Sequence, residues 1–159
     1  MDQLQIRVSP SQKAVIQQSA ARAHLGMSEW VLRQIFPDGS QQFQELLKEL
    51  KLSQDKSYVV AEIHDLFHNA IAGEFEQMVA EPPSVRLSPY WENYLAAMVE
   101  YAANQKKATV PPWVGDIEPL ESPQFGSALA SLRLYLLTHS PASFRRRNIF
   151  IDSTVGQRV

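Results

Sequence analysis

The sequence predicts a mainly α-helical chain in two parts. Residues 1–36 read as one short strand followed by two helices, and residues 37–159 as an all-helical or mostly helical body with a short strand near the C-terminus. Three observations predict this. Strict apolar/polar alternation opens the chain at residues 3–8, apolar residues recur at helical spacing through much of the remainder, and the second helix is apolar on nearly every side.

In the opening stretch Leu4, Ile6 and Val8 face one way and Gln3, Gln5 and Arg7 the other. A lone strand leaves its backbone donors and acceptors without partners. No second strand follows nearby, so the expected partner is the same strand of a second copy. The pair makes a ribbon, apolar below and Gln/Gln/Arg above, of a size that enters the major groove of DNA.

Ser9-Pro10-Ser11-Gln12 supplies a cap, a proline for the first turn and an amide for a capping box, predicting a helix over residues 10–24. Val15, Ile16, Ser19, Ala20 and Ala23 share one of its faces. A second helix starts with Gly26 as cap and Glu29 three residues on, and runs to residue 36 before Pro37-Asp38-Gly39. Its Met27, Trp30, Val31, Leu32, Ile35 and Phe36 cover most of the circumference, which demands burial. Thirty-six residues are too few to bury it alone, so an intertwined dimer is expected.

Strand, S-P-x-x-K helix, short turn and helix together resemble the ribbon-helix-helix family, which includes the Arc and MetJ repressors and many antitoxins. The resemblance covers residues 2–36. It implies a homodimeric, operon-autoregulating repressor or antitoxin that binds palindromic operator DNA without a cofactor, with a cognate toxin held by the C-terminal body. It implies that Gln3, Gln5 and Arg7 read bases, for which Gln–adenine and Arg–guanine bidentate pairing is suited. It further implies that the backbone N–H groups of Gly26, Met27 and Ser28 hold a phosphate at the start of the second helix. Many antitoxins show S-x-S-E at this turn; here it is Gly26-x-Ser28-Glu29, one hydroxyl fewer. Most also end in a short tail, whereas this chain continues into a long body.

Charge is unevenly spread. Residues 1–36 hold four basic and two acidic side chains (+2), residues 37–121 six and fourteen (−8), and residues 122–159 five and one (+4), which returns the whole-chain value of −2. An acidic middle cannot lie along a phosphate backbone, so nucleic-acid contact is expected from the ends. The absence of cysteine excludes a disulfide framework and thiolate chemistry. With neither a signal pattern nor an apolar run of membrane-spanning length, a cytoplasmic protein without membrane partners is expected.

In the body, helices are predicted over residues 40–52 (Phe43, Leu46, Leu47 and Leu50 inward), 58–71 and, after a restart at Gly73, 75–79. The stripe of the 58–71 helix is Val59, Val60, Ile63, Leu66, Phe67, Ala70 and Ile71. Ser88-Pro89 opens a further helix to residue 105 with Tyr94, Leu95 and Met98 inward, alongside Tyr101 or Ala102. Pro111-Pro112-Trp113 reads as extended. A last helix over residues 127–138 is expected to bury Leu129, Leu132 and Leu136, with Tyr135 as a further candidate, followed by a strand at 148–151.

Glu62, His64, Asp65 and His68 place two histidines one helical turn apart, but H-E-x-x-H is not formed and no third ligand is evident, so a solvated flank rather than a metal site is expected. Arg145, Arg146 and Arg147 suit an anion or an acidic partner; the favoured reading is that they neutralise the chain's own acidic middle. Arg133 and His139 fit the R-x5-H spacing of HEPN ribonucleases, whose Arg would stabilise phosphate charge and whose His would act as acid or base. Leu134 stands where that motif carries a polar residue. No P-loop, dinucleotide fingerprint or Ser/His/Asp signature occurs. A non-enzymatic DNA-binding protein is therefore expected, with a HEPN-like ribonuclease or a dimeric assembly protein that does not bind DNA as alternatives.

Overall fold

The computed structural model describes residues 7–35 and 38–152. They form two compact units that meet in sequence between Asp38 and Gly39. Residues 3–6 of the predicted strand lie outside the described residues, and residues 7–9 carry no regular structure in this chain.

In the first unit Ser9 Oγ accepts the Gln12 backbone N–H (3.2 Å) while the Ser9 N–H donates to Gln12 Oε1 (2.9 Å). With Pro10 in the first turn this capping box starts α1, Pro10–Arg22. The helix ends two residues before the predicted residue 24. His24 takes the left-handed conformation (φ 55°), and the N–H groups of Leu25 and His24 turn back to the carbonyls of Ala20 and Ala21 (3.0 and 3.1 Å). This is a Schellman turn built without its usual glycine. α2 follows, Met27–Ile35, packed against α1; the predicted helix end at Phe36 lies outside the described residues. Of the predicted inner face of α1 only Ala20 is buried, and Val15 is 62 % exposed.

In the second unit α3 (Gly39–Leu52), α4 (Lys56–Asn69), α5 (Ala72–Val79) and α6 (Pro89–Lys106) build the core. α3 packs on α4 and α5, and α6 on α4 and α5. Phe43, Leu46, Leu47 and Leu50 of α3 are all buried as predicted, against Val59, Ile63 and Phe67 of α4 and Phe75 of α5. Phe67 meets Phe75 edge-on at 5.2 Å. Ala96, Ala97 and Ala103 let neighbours approach α6 closely, and Tyr94, Leu95 and Met98 are inward as predicted, with Tyr101 and Ala102 half-buried.

α4 is displaced from its predicted bounds for a local reason. The Asp55 carboxylate accepts the Ser57 N–H (3.2 Å), which starts the helix at Lys56. At the other end Lys106 Nζ donates to the carbonyls of His68 (3.1 Å) and Ala70 (2.6 Å), closing α4 at Asn69. Ile71, predicted in the stripe, therefore lies beyond the helix and is 68 % exposed. The Gln44 side chain clasps the loop after α5, donating to the Pro82 carbonyl (3.1 Å) and accepting the Ser84 N–H (2.8 Å).

The remaining elements are short: β1 (Gln124–Phe125), α7 (Arg133–His139), α8 (Ala142–Arg145) and β2 (Ile149–Phe150). β1 pairs parallel with β2, Gln124 opposite Ile149 and Phe125 opposite Phe150. Three expectations are corrected here. Pro111-Pro112-Trp113 is not simply extended: Pro112–Val114 form a 3-10 turn whose Trp113 Nε1 donates to the Val79 carbonyl (2.8 Å). The helix predicted over 127–138 starts only at Arg133, because Ser127 Oγ takes the Leu129 N–H and Leu129 is extended, with a 3-10 turn at Ala130–Leu132 between them. Only Leu136 of its predicted interior is buried; Leu129 and Leu132 are 62 % and 40 % exposed. The predicted strand at 148–151 shortens to two residues because Asn148 is left-handed (φ 57°).

Candidate functional site

Of the three residues expected to read bases, Gln3 and Gln5 lie outside the described residues, and Arg7 is exposed. The residues expected to anchor a phosphate sit at the start of α2. The Gly26 carbonyl accepts the Trp30 N–H (2.8 Å), which makes Gly26 the cap of α2. Gly26, Met27 and Ser28 are all exposed, and a methyl group added at Gly26 would meet nothing within 4 Å. The first N–H groups of a helix have no partner inside it, which is the property that suits a helix start to an anion. Glu29 in the first turn already answers part of the helix-end charge, which weakens the pull on a phosphate.

Beside this anchor the apolar face of α2 is uncovered. Leu32 is 50 % and Met27 41 % exposed, while Trp30 and Val31 are half-buried. A helix with this composition tends to lie inside, yet among its described side chains Met27 and Leu32 stay exposed.

The three consecutive arginines have three different fates. Arg145 is exposed. Arg146 pairs with Glu100 of α6 at 2.9 Å. Arg147 is buried, donating from Nη2 to the Val114 carbonyl (2.7 Å) and from Nη1 to the Ile117 carbonyl (3.1 Å) and Asn93 Oδ1 (3.3 Å). The expected anion site is thus reduced to Arg145 and the outer face of Arg146. Among the described residues the ion pair with the acidic middle is made by Arg146, whereas the groups hydrogen-bonded to Arg147 are neutral. Burial lowers the Arg147 pKa, and the nearby Glu100 carboxylate opposes that shift.

The rings of His64 and His68 lie nearly parallel, with their centroids 6.3 Å apart. They border a groove of about 100 Å³ floored by Phe67, Tyr94, Met98 and Phe144. Its volume suits one apolar side chain rather than a cofactor, since ligand pockets run to several hundred Å³. Burial raises the Tyr94 pKa, so its hydroxyl stays protonated across the physiological range. Among the described residues no group of three or more His, Cys, Asp or Glu side chains is placed to hold a metal ion.

Arg133 and His139 begin and end α7, about 9 Å apart along its axis at the usual helical rise. The Arg133 guanidinium lies 5.3 Å over the Phe125 ring. The His139 ring stacks on Tyr135 at 4.1 Å, with Nδ1 within 3.0 Å of the Tyr135 carbonyl and 2.8 Å of Thr138 Oγ1. Sequence reasoning missed a different feature of α7, its exposed Leu134 and Leu137. The signal was present: five of the six residues 132–137 are apolar, more than one helix face can bury.

Among the described residues no helix is long and apolar enough to cross a membrane. No curated protein and no solved structure matches the chain. A family model described as Antitoxin TacA 1-like matches residues 3–66. Through the first unit, α3 and most of α4, the chain is therefore similar to the antitoxins of toxin–antitoxin systems.

Proposed function

We propose that the chain is a cytoplasmic, non-enzymatic antitoxin that represses its own operon as a ribbon-helix-helix homodimer. The observation that carries this reading is the α2 face: apolar by composition, uncovered in one copy, and inside the stretch that resembles antitoxins. A second copy laid across it would bury both α2 helices and bring the two N-terminal strands together. Gln3, Gln5 and Arg7 of each copy then face the major groove, and Gly26, Met27 and Ser28 hold a phosphate beside it. The helical body is the part available to a toxin. No catalytic role is proposed for Arg133 and His139, which different neighbours engage at opposite ends of α7.

The test is the affinity of the full chain for DNA from its own promoter. Each bidentate base contact is worth about 1–3 kcal/mol. Gln3/Gln5/Arg7→Ala, acting in both copies, should therefore weaken binding at least ~100-fold with helicity unchanged. Unchanged affinity would contradict the reading. The net charge of +2 on residues 1–36 also predicts a shallow dependence of affinity on salt.

A further inference from the structure

The body carries an apolar surface of its own. Leu129, Leu132, Leu134, Tyr135 and Leu137 are 62, 40, 74, 46 and 42 % exposed within nine residues of chain. The other exposed large apolar side chains of the body, Leu52, Tyr58 and Ile71, are isolated in sequence. Single exposed apolar residues are ordinary on a protein surface, whereas a contiguous group marks a site of association.

This group is presented on a fixed element. Leu136 is buried beneath it, and both the N–H and the hydroxyl of Ser140 bond to the Leu136 carbonyl (3.0 and 2.6 Å). At the other end Arg133 lies over Phe125, which stacks on the buried Phe150 at 5.1 Å. A surface already held in place loses little conformational entropy on docking.

Charge disfavours a contact of this surface with the same surface of a second copy. From Pro123 to Pro141 the sequence holds one fully charged side chain, Arg133, and no carboxylate. A two-fold contact of this surface with itself would desolvate two guanidinium groups and offer neither a counter-ion, which is unfavourable. We infer that the α7 surface docks an amphipathic segment of a different protein, whose apolar face carries an Asp or Glu to meet Arg133. Naming that partner as the toxin rests on the antitoxin reading; the surface and its chemistry do not.

The test uses the full chain and two synthetic Leu-rich amphipathic helical peptides, identical except for one Glu or one Lys bordering the apolar face. Fluorescence anisotropy should show the Glu peptide binding at least ~10-fold more tightly than the Lys peptide, since a charge-assisted contact is worth a factor of this order. Arg133→Glu should reverse the preference. Leu134→Ser/Leu137→Ser, at positions exposed enough to leave folding intact, should abolish binding of both peptides. Equal binding of the two peptides, absence of binding, or binding that survives Leu134→Ser/Leu137→Ser would overturn the inference. So would self-association beyond the dimer in sedimentation that Leu134→Ser/Leu137→Ser removes, because a second copy would then cover this face. Promoter-DNA affinity is measured on the same samples; its absence in the unsubstituted chain counts against the antitoxin reading and leaves the peptide result standing.

Discussion

The two units of the chain solve the burial problem differently. In the body each long helix hides its apolar stripe against another: Phe43, Leu47, Ile63 and Phe75 are all inaccessible within one copy. In the first unit α1 and α2 pack on one another, yet Val15, Met27 and Leu32 stay 62, 41 and 50 % exposed. Both units contain a helix with a side-chain cap, Ser9 for α1 and Asp55 for α4, so local propensity does not separate them. The difference is size. Two short helices cannot enclose a core, whereas four longer ones can. Among the described residues the body hides its core within one copy, and the exposed face of the first unit is what the proposed dimer would bury. α7 repeats the lesson on a smaller scale, as one buried leucine among exposed ones on an otherwise finished fold.

The largest effect is expected inside the body. Arg147→Ala would strand the carbonyls of Val114 and Ile117 and the Asn93 amide oxygen, which Arg147 now satisfies. Leaving buried acceptors of this kind without a donor costs about 1–3 kcal/mol. Denaturant unfolding of the body should show that loss equally at every protein concentration. A loss that shrinks at high concentration would break the comparison, because it would make the body depend on association too.

A much smaller effect is expected at Glu76, whose exposed carboxylate accepts the Thr109 N–H at 2.6 Å. That bond holds its pKa below the ordinary 4.5. A depressed carboxylate stabilises the fold above its unfolded-state pKa and loses that contribution as pH falls through the folded one. Stability should therefore decline in acid below about pH 4.5, and Glu76→Gln should flatten that limb while leaving neutral-pH stability slightly reduced. An unchanged acid limb would show that the contact contributes nothing.

What the sequence made legible follows the range of the interactions involved. Ser9-Pro10 and Ser88-Pro89 were readable as helix starts because a start is decided within a few residues, and α1 and α6 begin at those prolines. The core stripes of α3 and α4 were readable because helical spacing survives any tertiary arrangement. β1 was not readable: two residues, Gln124 and Phe125, become a strand only through Ile149 and Phe150, more than twenty positions away. The arginines were not separable either. Arg145, Arg146 and Arg147 are chemically alike in sequence, and only the turn into Asn148 sends the last one inward. At the N-terminus the alternation of residues 3–8 predicts a reading surface, and residues 3–6 of it lie outside the described residues. Leu134 and Leu137 are exposed because one face of α7 is enough to carry the buried Leu136, and sequence spacing alone does not say which leucines that face excludes.

Leu32→Glu tests the proposed dimer most directly. Leu32 is half exposed in one copy, so in a monomer the change should be nearly neutral, within about 0.5 kcal/mol. Sedimentation equilibrium of the full chain should show a dimer for the unsubstituted protein and a monomer for Leu32→Glu, with the body still folded and promoter binding lost; Leu52→Glu, at a position 81 % exposed in the body, should remain dimeric. A monomeric unsubstituted protein, or a Leu32→Glu protein that still dimerises, would contradict the account.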